Sequence, residues 1–128
     1  MGSKENLHDA EIIGVFHDKE KRILSIHCRN TDRSNFVVRF MGCIYFKIED
    51  FSHQNIVSRL NVLDRSSPED HIESIMNWIT TLDGAGIASK FIISSVNRVL
   101  MGELKIAYFE PTWGAEIGVV FEVIEFQK

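Results

Sequence analysis

The sequence predicts an α+β domain: an antiparallel sheet of about six or seven strands, with two helices inserted before a C-terminal β-hairpin. Three observations carry this. Apolar and polar residues alternate with period two from Ile23 to Phe51, the signature of antiparallel strands with one buried face. Two stretches, Ile72–Leu82 and Ala88–Leu100, space their apolar residues at helical intervals instead. Two nearly continuous β-branched and aromatic runs then flank Glu110-Pro111-Thr112-Trp113-Gly114-Ala115-Glu116, which suits central strands covered on both faces.

Residues 1–7 are polar and expected to be loose or a tag remnant, so the single domain of 1–128 effectively opens at His8-Asp9-Ala10-Glu11. Ile12, Ile13, Val15 and Phe16 follow as a short strand interrupted by Gly14, and His17 to Lys21 is a charged turn. Leu24, Ile26 and Cys28 then point one way, as do Phe36, Val38 and Phe40 after a polar loop, and Ile44, Phe46 and Ile48 after a break at Gly42. Short connections make these three strands a meander, with a turn or bulge at Gly42. Ile56–Leu63 fits either helical or strand spacing, and its β-branched content favours a strand.

Ser66-Ser67-Pro68-Glu69-Asp70 reads as a helix start, with a serine N-cap, proline in the first turn and acids where the macrodipole favours them. Ile72, Ile75, Met76, Ile79 and Leu82 form its buried stripe, Trp78 lies beside it, and the helix should stop before Gly84-Ala85-Gly86. Ala88, Ile92, Val96, Val99 and Leu100 give the second helix its face, and Gly102 closes it. Helices adjacent in sequence are expected to cover one face of the sheet. The hairpin, Leu104 to Phe126, is expected to run through the middle of that sheet. Its tip would project Glu110, Trp113 and Glu116, because Pro111 interrupts pairing and Gly114 permits a positive φ. Trp113 either folds back as a lid on the core or stands out as a binding anchor.

Composition narrows the function. A hydrophobic content of 45% and a charged content of 25% are those of an ordinary globular chain, and a formal charge of -4 argues against nucleic acid or an anionic membrane as partner. A polar start without an apolar signal stretch makes the cytoplasm the expected compartment, where Cys28 and Cys43 would be buried, reduced thiols. His8, His17, His27, His53 and His71 lack metal-ligand spacing, and a strand would turn His8 and Asp9 to opposite faces, so neither metal nor cofactor is expected. Neither a serine elbow nor a phosphate loop occurs. Glu110 and Glu116 could approach each other as an acid/base pair, but a hairpin tip is more exposed than the cleft such chemistry needs. Arg59 and Asn55 share a strand face and could anchor the hairpin base through Asp50 or Glu110.

The stretch His8-Asp9-Ala10-Glu11-Ile12 resembles the H-D-x-E-V element that opens the first strand in a predicted bacterial polymorphic-toxin immunity family. In that family a W-P-x-F stretch comes before the element, whereas Lys4 to Leu7 contain neither an aromatic residue nor a proline. The resemblance implies a small bacterial cytoplasmic protein that binds and neutralises a toxin, with His8, Asp9 and Glu11 among its binding residues. With the hairpin tip, this leads to the expectation of a non-catalytic binding protein whose partner surface includes Glu110, Trp113, Glu116, His8, Asp9 and Glu11. The alternative is a small-ligand or metal-binding domain, or an enzyme, built from His8, Asp9, Glu11 and the hairpin carboxylates.

Overall fold

The computed structural model describes residues 7–81 and 89–128. In chain order the elements are β1 (Glu11–Asp18), β2 (Ile23–Arg29), β3 (Asn35–Met41), β4 (Tyr45–Glu49), β5 (Ile56–Leu63), α1 (Glu69–Thr80), α2 (Ser89–Leu100), β6 (Lys105–Trp113), β7 (Glu116–Phe121) and β8 (Val123–Gln127). The eight strands of the described residues join one antiparallel sheet in the order β4-β7-β6-β5-β1-β2-β3-β8. No helix among the described residues is long and apolar enough to cross a membrane.

The strand count exceeds six or seven because the last apolar run, expected as one strand to Phe126, breaks into β7 and β8. β3 bends into β4 at Gly42, whose φ is 67°, and β7 bends into β8 at Glu122. Two bonds carry the ladder across both bends: Glu122 N–H donates to the Met41 carbonyl and Ile44 N–H to the Val120 carbonyl, each at 3.0 Å. The strands at the two ends of the order are therefore continuations of strands already paired, and the sheet curls round one interior. Phe40 of β3 meets Phe109 of β6 and Phe121 of β7 edge-on across that interior, at centroid distances of 6.0 and 4.9 Å. Such contacts add to the burial of large rings.

The corner corrects two expectations. β4 does not sit beside β3 in a meander; its register partner is β7, from Tyr45↔Val120 to Glu49↔Glu116. The hairpin is central only as far as Phe121. β6 and β7 lie inside the sheet and are mostly buried, but among the described strands β8 pairs with β3 only and alternates, with Val123 52% exposed. The apolar run continues through the bend and hides it from a pattern reading. Ile56–Leu63 is a strand, as its β-branched content favoured.

The helices pack on the outer face of β4, β7 and β6, so they do cover one side of the sheet. Ile72, Met76 and Ile79 of α1 and Val96 and Val99 of α2 bury against Leu104, Ile106 and Val120. Gly118 allows the closest approach: a Cβ there would sit 2.5 Å from Ile79 Cγ1 and 2.9 Å from the Trp78 ring. The serine N-cap is not formed. Pro68 takes the N-cap position, and the Ser67 hydroxyl instead accepts the Asp64 N–H at 3.1 Å, inside a turn that ends β5. The helix ends at Thr80, whereas Leu82 and Gly84-Ala85-Gly86 lie outside the described residues. Gly102, at φ 84°, closes α2 as expected. Residues 1–6 are also outside the described residues, and Leu7, expected to be loose, is buried in the core.

Candidate functional site

Period-two geometry divides the outer face of β4, β7, β6 and β5 into transverse rows. The first, Tyr45, Val120, Ile106 and Leu63, is covered by the helices. In the second, Lys47, Gly118, Tyr108 and Asn61, the end of α1 still touches the sheet. Lys47 Nζ donates to the carbonyls of Trp78 and Thr81 at 3.1 and 3.0 Å, satisfying acceptors at the helix C-terminus, and lies 5.1 Å from the centre of the Trp78 ring. Tyr108 meets the same ring edge-on at 6.0 Å.

The third row is bare and charged. Glu49 stands opposite Glu116, and Arg59 opposite Glu110. One residue beyond the Phe109↔Ile117 pair, Glu110 faces Glu116. Three carboxylates thus cross neighbouring strands side by side, where like charges repel. Each has its own partner: Lys47 Nζ is 3.2 Å from Glu49, Arg59 Nε is 2.9 Å from Glu110, and the Tyr108 hydroxyl donates to Glu116 at 2.5 Å. Burial first, then the bond to Glu116 and the charges of Glu116 and Glu110, hold the Tyr108 hydroxyl well above its usual pKa, so it remains a donor. Glu110 and Glu116 are neighbours, as expected, but with separate partners they do not form a proton-sharing dyad.

Beyond this row the hairpin tip carries Trp113, 59% exposed and therefore not a lid on the core. The backbone beneath it is held firmly. Buried Asn55 accepts the N–H groups of Ala115 and Ser52 on Oδ1, at 3.0 and 2.9 Å, and its Nδ2 donates to the Ser52 carbonyl at 2.8 Å. Gly114 adopts φ 79°, and a Cβ there would strike the Gln54 carbonyl and Asn55.

The other predicted residues arrive at the same face. Glu11 on β1 pairs with Ile56 on β5, and Ile56 with Trp113 on β6, so Glu11, Ile56 and Trp113 form one row. His8 Nδ1 donates to the Ser58 carbonyl of β5 at 3.0 Å. His8 and Asp9 do not alternate along a strand; they lie in a turn with Leu7 and Asp9 at positive φ, and His8 Nε2 comes within 3.4 Å of Asp9. Among the described residues no three His, Cys, Asp or Glu side chains gather in a metal-ligand set. Of the two anchors read from the sequence, Arg59 reaches Glu110, and Asn55 holds the tip. Lys47, Glu49 and Tyr108 were missed. The signal available for Tyr108 was its two-residue spacing from Glu110, which puts both on one strand face.

Openings of about 220, 450 and 560 Å³ lie elsewhere and are lined by none of the six predicted site residues. The chain matches no protein-family model, and neither curated proteins nor solved structures give a significant match.

Proposed function

We propose that this chain is a non-catalytic binding protein, an immunity-type inhibitor that docks a basic toxin domain on the outer sheet face running from Glu116 to Glu11. The observation that carries the reading is an exposed Trp113 on a turn fixed by Asn55, bordered by Glu110, Glu116 and Glu11. A large ring on a rigid base loses little entropy on docking, and surrounding acids attract a cationic partner. The wholly charged row beside it also fits a partner surface better than a ligand cleft. The stretch from His8 to Ile12, which resembles the immunity element, borders the same face. The reading through a small ligand or metal has less behind it, because Glu110 and Glu116 are each engaged by a neighbour.

Co-expression with the product of the gene directly adjacent to this one tests the proposal. Growth arrest by that product, relieved by the wild-type chain and not by the combined Trp113→Ala, Glu110→Gln, Glu116→Gln variant, is the expected result. A harmless neighbour, or equal protection by both chains, overturns it.

A further inference from the structure

A second surface lies on the helical layer, away from the hairpin face. The opening of about 560 Å³ there is a groove between α1 and α2, with Glu69, Asp70, Glu73, Ser74 and Asn77 on one wall and Ile92, Ile93, Val96 and Asn97 on the other. Val96 is buried, whereas Ile93 is 61% exposed. The buried face of α2 is made by Ser95, Val96 and Val99, with Ile92 and Leu100 partly buried beside it. Ile93 widens this apolar stripe beyond what the sheet covers. The macrodipole accounts for Glu69 and Asp70 in the first turn of α1, but Glu73 lies past it. Every described charged side chain lining the groove is acidic, and they face an apolar wall.

We propose that this groove is the docking site for a short, basic, amphipathic helix of a protein partner. An apolar ridge of that helix would cover Ile93 and the open part of Ile92, above buried Val96, and lysines or arginines one turn to the side would meet Glu69, Asp70 and Glu73. This is helix-in-groove recognition with a charge filter. The α1 wall from Glu69 to Asn77 is about 12 Å long, so roughly two turns of the incoming helix make contact. The site is independent of the hairpin reading, since it shares none of its residues.

The test uses a synthetic amphipathic peptide of about 15 residues, near the minimum length for a helix in water. It carries leucines on one face and flanking lysines, and a control peptide carries glutamates in place of the lysines. Binding is followed by fluorescence anisotropy and by backbone amide shifts of the intact chain. The lysine peptide should bind in a salt-dependent manner, shift the amides of Glu73, Asn77, Ile93 and Asn97, and outcompete the glutamate version. Ile93→Asp and the combined Glu69→Gln, Asp70→Asn, Glu73→Gln variant change exposed positions and should each weaken binding about tenfold. Several results overturn the proposal: no binding, variants that bind like wild type, or shifts confined to Glu110–Glu116. Self-association of the chain that Ile93→Asp abolishes would also overturn it, by assigning the groove to a second copy.

Discussion

Asn55 and Ala115, sixty residues apart in sequence, are joined by a 3.0 Å hydrogen bond from the Ala115 N–H to the buried Asn55 side chain. The same oxygen holds Ser52 N–H, so one amide ties the loop before β5 to the hairpin tip. Asn55→Ala leaves two donors without their acceptor and the Ser52 carbonyl without its donor. The expected loss is about 2 to 4 kcal/mol in urea unfolding, since unpaired buried polar groups cost more than the bonds they made.

Gly118 and Gly14 should respond in opposite ways to alanine. At Gly118 the new methyl meets Ile79 and Trp78, and overpacking against α1 should cost about 1 to 3 kcal/mol. At Gly14 the nearest atom is His27 Cβ at 4.0 Å, so Gly14→Ala should be neutral or raise stability by about 0.5 kcal/mol. Paired unfolding curves check both.

Burial raises the thiol of Cys28 to about 12 and that of Cys43 to about 11, from an ordinary value of 9.0. Both should resist a thiol reagent at pH 8 in the native protein and react once it is unfolded. A folded-state pKa above the unfolded one means that the native protein holds its protons longer. The contribution to stability is therefore whole below pH 9 and falls as pH rises through 11 to 12. The raised hydroxyl of Tyr108 acts in the same direction at the alkaline end. Unfolding midpoints between pH 7 and pH 11 should be level at first and then decline.

The acids and the ring of the hairpin face should separate kinetically with a basic partner. Glu110→Gln with Glu116→Gln should slow association and flatten its dependence on salt, because exposed charges act mainly on encounter. Trp113→Ala should instead speed dissociation, about thirtyfold or more if the ring is a binding hot spot. Stopped-flow traces at two ionic strengths resolve the two effects.

Much of the fold was legible in the sequence because alternation and helical spacing report burial directly. Leu24, Ile26, Cys28, Phe36, Val38 and Phe40 are all buried where period two placed them. The break at Gly42 was legible, but not that it carries β4 away from β3 to pair with β7; the break at Glu122 was not legible, because apolar residues continue on both sides of it. Local pattern names the elements, but the neighbour of β4 depends on a strand about seventy residues away in the chain, a distance that periodicity does not address. The site was half visible. Trp113, Glu110 and Glu116 could be read from the hairpin, but the row Glu11, Ile56, Trp113 exists only through two separate strand pairings. His8 and Asp9 were misplaced because positive φ at Leu7 and Asp9 makes a turn where a strand entrance was expected.

The proposed function needs Trp113 to stand outward and to contribute little to the core. Urea unfolding of Trp113→Ala measures that contribution without the partner being known. With Trp113 59% exposed, the stability should stay within about 0.5 kcal/mol of wild type, as for other surface substitutions. A loss of about 3 to 5 kcal/mol, the range for truncating a buried aromatic ring, would make Trp113 part of the core and rule it out as an anchor.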